Sequence, residues 1–322
     1  MSLDMLAMPR LDGGRFLLVD YLPTYAAVLF LVILIWAGAP GPDIDFDSAW
    51  RSAANLGVGE AILITIAITL MAAVTHPLQL AMMRILEGGW PAWARPLTVL
   101  SQAIQQRRRD QLAARGELPE DPAETLSEEQ IQAAGLAGTR LRRMFPPPDL
   151  TRPTALGNAL AAMEVTAGEP YGFDAVVAWP RLYPVLGERM RIIIDDRRNT
   201  LDSAARMSAT MAVTTVISAL ALAQSGWWLL LSLIPLALAR IAYIGAVRAA
   251  TAYGETVRTA FDLHRFDLLT ALRLPLPEDP ETERRNNTQL CDSWRQGIPA
   301  KLGYCHPEPG PWLGGRASGK RY

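Results

Sequence analysis

The sequence predicts an all-α membrane protein: four transmembrane helices, set as two hairpin pairs, with a helical cytoplasmic domain. Three observations lead there. Residues 21–38, 61–83, 207–223 and 227–247 form four apolar runs, each of roughly 17–23 residues, enough at about 1.5 Å per residue to cross a hydrocarbon core of about 30 Å. Half of the 322 residues are hydrophobic although the middle and the tail are rich in charge, so the apolar content is gathered into those runs and not spread as amphipathic stripes. Arginine is distributed unevenly around the runs, and that sets the orientation.

In chain order, residues 1–20 read as a cytoplasmic N-terminus carrying Arg10 and Arg15. The run at 21–38 is longer than the apolar core of a signal peptide, and Ala37-Gly38-Ala39 leads directly into Pro40, so it reads as a retained span. Residues 39–60 make a short extracytoplasmic loop with Arg51 against Asp43, Asp45 and Asp47. These alternating acids lack the glycine-turned loop and closing bidentate acid of a calcium site. The second span, 61–83, contains His76-Pro77. An ionisable group inside a bilayer is a candidate for an ion or proton path; the preferred reading is that His76 satisfies carbonyls freed by the proline kink.

Residues 84–148 read as a polar helical segment. Arg84 and Arg95 on one side, and Arg197, Arg198 and Arg206 on the other, place the whole middle of the chain in the cytoplasm. Ser127 followed by Glu128, Glu129 and Gln130 has the pattern of a capped helix start. The triplet Arg107-Arg108-Arg109 would contact anionic lipid if it lay beside the membrane, against the commoner reading of a solvated helix face. Pro146-Pro147-Pro148 closes the segment.

A membrane-proximal block follows at 149–206. It reads as a helix at 154–162, an apolar stretch at 175–179 ended by Pro180, and a helix from Arg189 that continues into the third span. The spans 207–223 and 227–247 are joined by the tight Gln224-Ser225-Gly226 turn, with Trp227 and Trp228 at the outer interface and Arg240 snorkelling to the inner one. In residues 248–277, Val257, Phe261, His264, Leu268 and Leu272 recur every three to four positions, which predicts an amphipathic helix docked on the membrane-proximal block until Pro275 and Pro277 end it. Residues 278–322, rich in Pro, Gly, Asn, Arg and Glu, read as a disordered tail. The two cysteines, Cys291 and Cys305, make no disulfide framework, and Cys305-His306 supplies too few ligands for zinc.

Pro153-Thr154-Ala155-Leu156-Gly157-Asn158-Ala159-Leu160 with Glu164, then Tyr171-Gly172-Phe173-Asp174-Ala175-Val176-Val177, Trp179-Pro180-Arg181-Leu182 and Asp195-Asp196-Arg197-Arg198-Asn199 carry a resemblance. With Tyr253-Gly254 and Phe261-Asp262-Leu263-His264-Arg265 in the tail, the chain resembles a family of multi-pass integral membrane proteins from actinobacteria and other bacteria. The resemblance implies topology and segment choice, and brings no activity with it.

Chemistry is sparse. Glu164, Asp174, Asp195 and Asp196 supply carboxylates, and Arg181, Arg197 and Arg198 are able to clamp an anion. No histidine, Gly-rich loop or metal spacing accompanies them. They and His76 are the candidate site residues, with no catalytic assignment, cofactor or metal expected. A net charge of −1 argues against a nucleic-acid partner. The leading expectation is a non-enzymatic scaffold or partner-binding subunit of the plasma membrane, both termini cytoplasmic, contacting the lipid bilayer and a protein partner or further copies of itself. An oligomeric transporter or channel component comes second, and a membrane-bound enzyme third.

Overall fold

The computed structural model describes residues 15–75, 78–117 and 127–306, and among these every regular element is helical. Eleven α-helices occur among the described residues, in the order α1 (Arg15–Trp36), α2 (Phe46–Ala54), α3 (Val58–Thr75), α4 (Leu78–Leu86), α5 (Arg95–Gly116), α6 (Glu128–Met144), α7 (Ala155–Thr166), α8 (Ala175–Leu182), α9 (Glu188–Ala221), α10 (Leu233–Ala271) and α11 (Pro280–Gln296).

Four spans are expected, and fewer qualify. By length and composition, α9 and the rod Gly226–Ala271 are able to cross a membrane; α2 with α3 makes a third only if the pair, bent by 109°, is one broken span. The described apolar part of α1, Pro23–Trp36, is shorter than a crossing needs. Within the run at 61–83 the described helices are α3, to Thr75, and α4, from Leu78; His76 and Pro77 lie outside the described residues. Part of the expected extracytoplasmic loop is helical: Asp45 accepts the Asp47 N–H at 2.9 Å to cap α2, and Phe46 sits 5.1 Å from the Trp228 ring.

α9 and α10 are the frame. They are held together by small side chains, Ala205, Ala209, Ala239, Ala246 and Ala250 all being buried, which lets the helix axes approach closely as membrane helices do. Ser208 Oγ donates across to the Ala239 carbonyl at 3.1 Å. At one end, Leu222 and Leu34 are sealed together, and Ser225 Oγ donates to the Gly41 carbonyl at 2.6 Å. At the other end both helices run without a break into the main core.

That core is made by α7, α8, the first half of α9, the second half of α10, and α11. Thr154 Oγ1 accepts the Gly157 N–H at 3.0 Å to start α7, which is buried along almost its whole length. Gly157 is required by contact: a Cβ there would stand 2.0 Å from the Glu87 carbonyl oxygen. Phe261 is fully buried, its ring 6.0 Å from Phe173 and 6.2 Å from Trp179, and Val257 and Leu268 are buried beside it. The amphipathic stripe therefore docks on the membrane-proximal block. His264 stands at its edge, half-buried and paired with Asp267 at 2.7 Å.

Two local expectations are corrected. Pro180 does not end α8, which runs on to Leu182; proline's φ is helical, and here the ring costs one hydrogen bond without stopping the turn. The tail is not disordered at 280–296. Asp279 accepts the N–H groups of Glu281 and Thr282 at 2.9 Å each, Pro280 follows at the first helical position, and Gly297 leaves α11 at φ 72°, the stop–start chemistry of a well-formed helix. α5 and α6 form an antiparallel-length hairpin beside the core, with the predicted cap: Ser127 N–H donates to Gln130 Oε1 at 2.8 Å and Gln130 N–H to Ser127 Oγ at 3.3 Å.

Candidate functional site

The candidate residues do not converge. Asp174 caps α8, accepting the N–H groups of Val176 and Val177 at 2.9 and 3.2 Å, and pairs with Arg295 of α11. Arg181, about two helical turns along, donates to the Val177 carbonyl at 2.8 Å and lays its guanidinium 4.4 Å over the Trp294 ring. Both thus fasten α11 to α8. Glu164 of α7 holds Arg152 at 2.7 Å. Asp195 accepts the Tyr183 hydroxyl at 2.6 Å, and Arg198 pairs with Asp202 at 3.8 Å one turn on. Asp196 is exposed on α9. Arg197 lines a groove beside α10.

A second polar knot was not legible. Arg265 of α10 stacks 4.2 Å over Tyr171 and donates to the buried Glu283 of α11 at 2.8 Å. Tyr171 donates to Asp262 at 2.7 Å; burial pushes its phenol above the ordinary range, and the Asp262 bond adds to the shift. Next to this knot the Asp174 N–H donates to Cys291 Sγ at 3.3 Å. Burial raises the Cys291 thiol, against that hydrogen bond. These groups weld α11 to α8 and α10.

The cavity that takes Arg197 is a groove of about 1320 Å³ between the α5–α6 hairpin and α10. Its rim carries Arg108 and Arg115 from α5, Arg140 and Arg143 from α6, Arg197 from α9, and Arg240 and Arg248 from α10; Glu255 is its one acid, and it pairs with Arg143 at 2.7 Å. Among the described residues the other six arginines enter no ion pair or hydrogen bond. Leu112, Leu136, Met144, Ile244 and Val247 supply an apolar floor. A side cavity of about 360 Å³ shares Arg108, Ala155 and Tyr243 with the groove and is lined by Gln105. Gln105 is 7% exposed, and its Oε1 has no hydrogen-bond partner.

The local signals for this groove were the arginine triplet at 107–109 and the lone Arg240. What the chain hides is that helices far apart in sequence bring them together. Among the described residues no group of three or more His, Cys, Asp or Glu side chains is placed to hold a metal ion. Compared with protein-family models, with curated proteins and with solved structures, the chain matches none.

Proposed function

We propose that this is a four-pass protein of the plasma membrane, with its termini and helical domain in the cytoplasm, serving as a non-enzymatic scaffold or partner-binding subunit. One observation carries the reading: α9 and α10, 34 and 39 residues long, each unite an apolar membrane-length stretch with side chains buried in the main core. The domain is then a rigid extension of the spans, and whatever docks on it is fixed relative to the bilayer. The arginine bias around the spans supports the orientation. Engagement of Glu164, Asp174, Asp195 and Arg181 in structural pairs supports a binding role over acid–base chemistry.

Leu263 and Phe266 are exposed on the outer face of α10 and offer an apolar foothold for a partner. A photoreactive residue at either position, in a pull-down from native membranes, should recover one recurring protein or a second copy of this chain. The same probe at Arg285 should not, and Leu263→Asp should abolish the crosslink at 266. Absence of any crosslink, together with ion flux in proteoliposomes, would replace this reading with the oligomeric transporter.

A further inference from the structure

The arginine groove has a place relative to lipid as well as a charge. Its α10 wall begins at Arg240, within the apolar stretch of the rod Gly226–Ala271, and descends to Thr256. On α5, Leu97, Leu100 and Ile104 are 58%, 61% and 42% exposed, preceded by Trp93 at 82%. Their spacing of four and three residues puts them on one helix face, and that unpartnered apolar stripe stops where Arg107 and Arg108 begin. Arg108 and Arg115, four and eleven residues after Ile104, continue the same face and line the groove with Leu112. An apolar face that passes into arginine along one helix suits the boundary between acyl chains and head groups.

We propose that the groove holds the head group of one anionic phospholipid from the adjoining leaflet. Guanidiniums that find no partner among the described residues and line one space suit phosphate, which they bind through two parallel N–H groups. The apolar side chains among them, Leu112, Met144, Ile244 and Val247, suit the glycerol backbone and upper acyl chain, which a free phosphate or an acidic peptide would leave unused. The inference rests on the proposed spans for the groove's place beside a leaflet.

The test is native mass spectrometry of the purified full-length protein, stripped of lipid in neutral detergent. It is titrated with phosphatidylglycerol and with phosphatidylcholine of matched chains. Phosphatidylglycerol should bind the tighter. The triple variant Arg115→Gln, Arg140→Gln, Arg197→Gln should lose about fivefold per arginine and about a hundredfold in all, at roughly the contribution of one surface arginine to an anionic lipid.

The charge-matched control Arg189→Gln, Arg285→Gln, Lys301→Gln should bind as the wild type does, and arginine-to-lysine changes at the three groove positions should retain most of the affinity. Equal binding of phosphatidylcholine, or an unaffected triple variant, overturns the proposal. Displacement of phosphatidylglycerol by glycerol phosphate or by an acidic peptide overturns it in favour of a soluble ligand. None of these outcomes depends on topology in cells, which thiol labelling reads separately.

Discussion

Cys291 and Cys305 are one residue type in opposite surroundings. Cys291 is buried against Asp174 with its thiol shifted upward by burial, while Cys305 is exposed. Since the thiolate is the reactive form, a thiol reagent at neutral pH should modify Cys305 within minutes and Cys291 only on unfolding. Thiol counting in native and denaturing buffer checks this; two fast thiols in the native protein would mean that α11 does not dock.

Asp279 gives a pH dependence of definite sign. The Thr282 and Glu281 N–H groups and the Thr282 hydroxyl hold its carboxyl below the ordinary range. A carboxylate depressed in the folded state stabilises at neutral pH, and that contribution is lost as pH falls through its folded pKa. Fraying at the start of α11, read by hydrogen exchange of the Glu281 and Thr282 amides, should thus rise only on acidification below the usual carboxylate range. Asp279→Ala should show the same fraying at neutral pH, and Asp279→Asn much less. At this scale the sequence shows which residue types are present but not how they are used: Asp174 and Glu164 look like acid–base groups and Arg181 like an anion clamp, and they serve as a cap, a brace and a stacking plate.

Among the elements, legibility follows the strength of the local signal. The Ser127 cap, the passage of α9 out of the membrane-proximal block, and the stripe at 257, 261 and 268 are all written in short-range spacing, and the structure has each of them. α11 is different. Its buried face is Glu283, Asn287, Leu290 and Cys291, at helical spacing but half polar, so hydropathy is silent and burial depends on Arg265 and Tyr171 arriving from elsewhere. The cap residues Asp279-Pro280 were the readable trace.

The packing makes two element-scale predictions. Ending the chain at Asp279 should loosen the whole α7–α8 block, because Arg265 loses Glu283 and Arg181 loses the Trp294 ring; limited proteolysis should then cut near Gly172, where a Cβ would already meet the Arg284 carbonyl oxygen at 2.4 Å. Phe261→Ala empties a fully buried ring site and should cost roughly 3–5 kcal/mol. With Leu268→Ala it should open the second half of α10 to protease. Unaltered protection in the double variant would contradict the docked core.

For the molecule as a whole, what the sequence cannot display is convergence. The arginines of the groove are spread from position 108 to 248 and become one field only after α5–α6 folds against α10. The membrane reading is bounded the same way: apolar runs are visible, but whether a run crosses depends on bends such as the 109° between α2 and α3. The central claim is that the domain built on α9 and α10 lies in the cytoplasm while the α1–α3 connection lies outside. The direct measurement is labelling by a membrane-impermeant thiol reagent on intact and permeabilised cells. It uses Ser52→Cys and Gln132→Cys, both at exposed positions, each in a Cys291→Ala, Cys305→Ser background, with native Cys305 read in the wild type. The account predicts that Ser52→Cys labels on intact cells, and that Gln132→Cys and native Cys305 label only after permeabilisation; labelling of Gln132→Cys on intact cells would contradict it.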